Sequence, residues 1–367
     1  MKEKETNFKY HLVMNKALDL QQIDRDAKAG KRPQHLMGVL SQRLGASIHQ
    51  PKTEPISPID EFRAKIVGKP EYWVLARRLA SQLNQNDIII CDGEDIGIPI
   101  AAICGAKQNR PRIAVYIHTL YGLHGVKICE MFRLAERIDL FLPHTLPLVE
   151  FLRNYLNLPA SRVPLIYSQT DTNFFSPGSP SPNKQRPVIA SIGLERRDYR
   201  TLAAATHDLD VDVRISGFSQ DATVLAKTFP EKMPDNMIRR YYEWQELLQL
   251  YRNADLVVIS LLETNHGAGC TTLLEAMACR RPVIATCTRG LAEYLKPEGI
   301  VTTVAPGDSL GMRQAIVNML NNPQAAAAQS QRAYEVTLER YSHAQHLDFL
   351  ISQVAAIEKS NCSPSSQ

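Results

Sequence analysis

A chain of 367 residues exceeds what one ordinary hydrophobic core organises, so two domains of similar size are expected. With 44% hydrophobic and 22% charged residues it is neither a disordered nor a fibrous chain, and no run approaches the roughly 18 apolar residues of a membrane-spanning helix. The net charge is only +4, but residues 1–172 hold 23 Lys and Arg against 18 Asp and Glu, which leans the first half towards an anionic partner or a membrane surface and away from committed nucleic-acid binding.

The first fifteen residues are charged and lack an apolar stretch, so they do not read as a secretory signal. Seven cysteines occur without a single Cys-x-x-Cys pair, which argues against a zinc framework or a disulfide scaffold and for reduced thiols in the cytoplasm. Short apolar runs then alternate with helix-periodic segments along the whole chain, the pattern of parallel sheets covered by helices. In the first half, strands are predicted at about 10–14, 46–49, 87–91, 113–118, 140–143 and 163–167. Helices carrying one apolar face lie between them, in EYWVLARRLASQL, IPIAAICGA, KICEMFRLAERI and PLVEFLRNYL. Residues 174–187 are dense in Pro, Ser and Gly and read as a linker.

The alternation restarts with strands at about 188–192, 211–215, 237–241, 256–260 and 282–286, and helices from 199, over 245–253 and over 272–279. The chain is mostly helical from 307 to 358. The expected organisation is therefore a first Rossmann-like domain over 1–173, the linker 174–187, a second over 188–340, a C-terminal helix over 341–359 that packs back towards the first domain, and a disordered tail over 360–367. Two such α/β halves place a ligand in the cleft between them, outside the carboxyl ends of the strands. Trp73 and Trp244 are expected to pack helices onto the sheets, and the histidines show no metal-ligand spacing.

The densest chemical signal is the run GAGCTTLLEAMAC from Gly267, which follows the apolar strand ADLVVIS. Glycines let backbone approach a ligand closely, and the amides of a first helical turn attract phosphate. Glu275, about one turn into the helix, is placed to accept from two vicinal ribose hydroxyls. The plainer reading is an N-cap at Thr271 or Thr272 with Glu275 offsetting the helix dipole.

TTLLEAMACRRPVIAT with its flanks resembles the nucleotide-binding half of GT-B glycosyltransferases, most nearly the large retaining class called family 4, or group 1. VIASIGLERRDYRTLAAA resembles the first strand, turn and helix of that half. VPLIYSQTDTNFFSP resembles the end of the first domain, and RPRIAVYIHTLYG the strand that delivers a histidine to the cleft. The resemblance implies a GT-B fold of two Rossmann-like domains with parallel sheets facing each other across a cleft. It further implies a retaining transfer of a hexose-type sugar from a UDP- or GDP-sugar to an acceptor hydroxyl, without metal or other cofactor. Glu275 matches the residue that binds the ribose hydroxyls. Gly269, Cys270, Thr271 and Thr272 match the diphosphate turn. Gly193 stands in the second domain's first turn, Arg197 matches the cation at the diphosphate with Arg196 the weaker candidate, and His118 matches the histidine that contacts the donor sugar.

The chain departs from that pattern at Gly267, where the class carries an acidic residue eight positions before the helix glutamate. Glu263, or His266, is expected to serve the sugar instead. Lys28, Lys31 and Arg32, in the loop after the first strand, are weak candidates for the acceptor side, as are Tyr121 and His124. The acceptor is expected to be a lipid, a polysaccharide or a small molecule, with the protein in the cytoplasm and peripheral contact at the inner membrane face as a variant. Two other readings stay open: a non-catalytic nucleotide-binding protein of this fold, and a sugar-nucleotide 2-epimerase.

Overall fold

The computed structural model describes residues 8–182, 184–218 and 224–359; the expected tail over 360–367 lies outside them. The chain divides into two compact units. Unit 1 contains the described residues up to Asp24, His35–Ile166 and those from Leu347 on; unit 2 contains Arg25–Gln34 and Tyr167–His346.

Five β-branched or aliphatic runs form the sheet of unit 1: β1 (Lys9–Val13), β2 (Ser47–His49), β3 (Asp87–Cys91), β4 (Arg112–Ile117) and β5 (Leu140–Pro143). Their order is β2-β1-β3-β4-β5 and every pairing is parallel, with Leu12 opposite Ile90 and Ile90 opposite Ala114. A parallel sheet is covered on both faces, so alternate residues feed two cores. Ile89, Ile113 and Val115 join Trp73, Ala76 and Leu79 of the helix Pro70–Gln82 on one face. Leu12, Ile88, Ile90 and Ala114 join Leu347, Leu350, Val354 and Ile357 of the helix His343–Lys359 on the other. Among the described residues, no helix is long and apolar enough to cross a membrane.

Unit 2 repeats the plan with β6 (Val188–Ile192), β7 (Asp212–Ser216), β8 (Met237–Arg239), β9 (Leu256–Ile259), β10 (Val283–Thr286) and β11 (Thr302–Val304). The order is β11-β10-β9-β6-β7-β8, again all parallel. Strand order reverses between β1 and β3 in unit 1 and between β6 and β9 in unit 2. At such switch points the connections pass to opposite faces of the sheet, and the crevice at the carboxyl ends is where open α/β sheets take ligands.

Three expectations are corrected. Residues 163–167 form no strand: Pro164 has no N–H for a ladder, and only Ile166 reaches the sheet, donating to the Pro143 carbonyl at 3.0 Å. The Pro- and Ser-rich run does not bridge the units. Phe174 and Phe175 enter the core of unit 2 against Trp244 and Tyr251, and Arg281 donates to the Gly178 carbonyl, so the chain crosses between units before Tyr167 and after His346 instead. Trp244 is 36% exposed, with Arg32 over its ring, rather than buried under a sheet like Trp73. The edge strand β11 was not expected; three residues with two threonines leave no apolar run to read.

Candidate functional site

In unit 2 the loops after β6 and β9 meet. Gly193 leaves β6 with φ of 104°, a region L side chains rarely adopt, and a Cβ there would lie 2.4 Å from Arg197 Nη2. That space lets the Arg197 guanidinium fold back over its own turn. It is 3% exposed; Nε donates to the Ile192 carbonyl at 2.8 Å, Nη1 to the Glu195 carbonyl at 3.1 Å and Nη2 to Thr272 Oγ1 at 2.9 Å. Thr272 Oγ1 in turn donates to the Ile192 carbonyl at 3.1 Å. The turn is stitched to the second loop by Asp198 N on the Ser260 carbonyl at 3.0 Å and Leu262 N on the Arg196 carbonyl at 2.9 Å.

The helix Cys270–Ala278 begins at Gly269, whose φ is 92° and whose Cβ would sit 2.9 Å from Ile259 Cγ2. No side chain caps this end and no acid lies in its first turn; Cys270 N donates to the Gly267 carbonyl at 3.1 Å, which leaves the Thr271 and Thr272 amides and the positive end of the dipole to an anion. Burial pushes the Cys270 thiol up to about 12. Thr271 is exposed while Thr272 is buried, so the two threonines divide into a facing residue and a bridging one.

Glu275 lies one turn further, 7% exposed, accepting from the Tyr251 hydroxyl at 2.6 Å. Burial pushes its carboxyl up to about 7, against the pull of the Tyr251 hydrogen bond and the Arg197 charge. A buried carboxylate held at one oxygen, a buried guanidinium and an open helix end suit a ligand with paired hydroxyls and a diphosphate. Arg196, with φ of 53°, is exposed, whereas Arg197 is buried.

Glu263 is exposed and accepts from the Arg289 amide at 3.1 Å, while His266 is buried at 8% exposure. Its ring meets Thr264 Oγ1 through Nδ1 at 3.0 Å and Glu195 Oε1 through Nε2 at 3.1 Å. The segment holding Lys28, Lys31 and Arg32 groups with unit 2, not with the strands of unit 1 that precede it. There Lys31 stands 4.0 Å from Asp26, and the Gln34 amide donates to Asp171 Oδ2 at 2.8 Å.

In unit 1, His118 is exposed at the end of β4. Glu94 clamps that corner, accepting from the His118 amide at 2.8 Å and from the Thr119 amide and hydroxyl at 2.7 Å each. The imidazole stacks on His144 at 4.5 Å and approaches the Asp92 carbonyl at 3.3 Å through Nε2. Beside it Asp92 takes the Asn15 amide on both oxygens at 3.1 Å, and burial pushes its carboxyl up to about 7. Tyr121 precedes the helix Gly122–Met131 and His124 is exposed in its first turn. Among the described residues, no His, Cys, Asp and Glu group is arranged to hold a metal ion.

The sequence reading passed over Asp92, Glu94, Asp95 and Glu195. The run Asp-Gly-Glu-Asp directly after an apolar strand was an available signal for the first three. Tyr251 carried none, being one apolar position in an amphipathic helix.

Residues 197–322 match the family model described as Glycosyl transferases group 1. No curated protein sequence matches the chain. Among solved structures, Anabaena HepE in complex with UDP and glucose is 13% identical with a TM-score of 0.69, covering 94% of this chain and 99% of that one. Sucrose-phosphate synthase from Thermosynechococcus elongatus is 15% identical with a TM-score of 0.69, covering 96% and 100%. The alpha,alpha-trehalose 6-phosphate synthase from Burkholderia multivorans is 13% identical with a TM-score of 0.72, covering 96% and 99%. The fold of this chain is therefore GT-B, and Arg197, the loop after β9 and the helix Cys270–Ala278 fall within its match to group 1 glycosyl transferases, while Gly193–Arg196 precede it.

Proposed function

We propose that the protein is a retaining glycosyltransferase that moves a hexose-type sugar from a UDP- or GDP-sugar to an acceptor hydroxyl of a lipid, polysaccharide or small molecule. The observation that carries this reading is the convergence of Arg197, the uncapped end of Cys270–Ala278 and the buried Glu275 at the β6/β9 switch point. Glu275 accepts from the ribose hydroxyls, and the first-turn amides hold the diphosphate. Arg197 acts where negative charge grows as the sugar leaves, so its attraction is greater in the transition state than in the ground state. Because this cation and these dipoles are built into the fold, the transfer is proposed to run without a metal. On the sequence resemblance, His118 contacts the transferred sugar; the Glu94 clamp gives its backbone a fixed origin. The solved relative named with UDP and glucose supports the choice of donor class.

Calorimetric titration with UDP, GDP and ADP tests the reading on the wild type and on Glu275→Gln. One nucleotide is expected to bind, with affinity lost by about tenfold or more in the variant, the worth of a hydrogen bond to a charged group. Failure of all three to bind, or an unchanged variant, overturns it. Chelator should leave transfer unaltered, and the anomeric configuration of the product, read by NMR, tests retention. Gly267 favours a second reading, a non-catalytic nucleotide-binding protein. Donor turnover by the wild type rules that out.

A further inference from the structure

Position 267 has no side chain, yet the loop around it is not left without an acid. Glu195, in the turn after β6, sends its carboxylate across to His266, in the loop after β9, at 3.1 Å. These loops are the two lips of the unit 2 crevice. The imidazole is held at Nδ1 by Thr264 Oγ1 at 3.0 Å, and its backbone carbonyl packs so closely on Gly290 that a Cβ there would stand 2.1 Å away. The Glu195 backbone is equally fixed, since its carbonyl accepts from Arg197 Nη1 and its neighbour Arg196 accepts from Leu262 N.

The result is a carboxylate pinned at one oxygen on His266, the residue preceding Gly267, while 54% of its side chain stays open. The hydrogen bond from His266 comes first among the influences that hold this carboxyl below the usual range, followed in the same direction by the charges of His266, Arg197 and Arg196. Glu263, exposed like Glu195, takes the Arg289 amide on Oε1 at 3.1 Å, and its carboxylate has no bond to the loop after β6 among the described residues. An open carboxylate oxygen beside the diphosphate turn is suited to accept from hydroxyls of a sugar, and unsuited to a further phosphate.

We propose that Glu195, positioned by His266, supplies from the first loop the sugar-binding carboxylate that the second loop lacks at Gly267. The inference rests on the donor-site reading above and assigns within it the residue that recognises the sugar rather than the nucleotide.

The test compares bare and sugar-linked nucleotides on the full-length protein by calorimetry: UDP with UDP-glucose, and GDP with GDP-mannose. Glu195→Gln is isosteric and exposed, so folding is not at stake; thermal melting verifies it. The preferred conjugate should bind Glu195→Gln about tenfold more weakly, equal to about 1.4 kcal/mol. The bare diphosphate should be unchanged or bind slightly tighter, as a nearby negative charge has gone. His266→Asn should shift the conjugate in the same direction by less, and Glu263→Gln should shift neither ligand.

Equal losses of both ligands in Glu195→Gln, no loss, or a sugar-selective loss in Glu263→Gln overturns the proposal. So does a wild type that binds no conjugate more tightly than its nucleotide. If the wild type binds neither UDP nor GDP, the donor reading itself fails. If it binds one, and Glu275→Gln loses both forms while Glu195→Gln loses neither, the donor reading stands and this inference alone falls.

Discussion

Folding favours a neutral Glu275, whereas the proposed donor site uses it as a hydrogen-bond acceptor. Its carboxyl titrates at about 7 in the fold against 4.5 in an exposed chain, so the folded state binds the proton more tightly. The sign follows: the group's stabilising contribution is complete below about pH 4.5 and is lost as pH rises through 7, by about 3 kcal/mol in total. Glu275→Gln, neutral throughout, should flatten that part of the stability profile; urea midpoints measured between pH 4 and 8 check it. A cluster member at a forced backbone angle gives a second prediction. Gly269→Ala adds a Cβ 2.9 Å from Ile259 at φ of 92° and should cost about 1–3 kcal/mol, read as a lower Tm, with weaker nucleotide binding. Glu275, Gly193, Gly269, Arg197 and Thr272 were all readable from the sequence, because each sits in an ordered motif. The burial of Arg197 and the bridge through Thr272 were not, since 75 residues separate the two.

The strands and helices that build the crevice were visible as elements, since β-branched runs followed by Gly-rich turns and apolar-striped helices are local patterns. Their failures were local too. Pro164 breaks a run that otherwise reads as a strand, and β11 is too short and polar to register. The helix Pro58–Ala64 shows what local chemistry does decide. Ser57 Oγ accepts from the Asp60 amide at 3.2 Å and the Asp60 carboxylate accepts from the Ser57 amide at 3.1 Å, a reciprocal cap that also meets Arg77 at 2.6 Å. Ser57→Ala should lower stability by about 1 kcal/mol, seen as a shifted denaturant midpoint with an unchanged slope. At the crevice the opposite rule holds: no side chain caps the end of Cys270–Ala278, and that omission leaves the Thr271 and Thr272 amides open.

Across the molecule, each unit takes residues from distant parts of the chain. The helix His343–Lys359 sends Leu347, Leu350, Val354 and Ile357 into the core of unit 1, more than two hundred residues from the strands it covers. Leu350 is 0% exposed, so Leu350→Ala should cost about 2–5 kcal/mol, with faster hydrogen exchange confined to β1, β3 and β4 of that unit. The sequence by itself determined two α/β halves, the parallel sheets, and a helix carrying a glutamate behind a glycine turn. These follow from hydrophobic period and turn chemistry, which act over a few residues. Only the tertiary structure decided where the Pro-rich run lies, that Arg25–Gln34 joins unit 2, and that Glu195 faces His266. Those outcomes depend on which loops meet at a strand-order reversal, and long-range pairing leaves no local periodicity to read.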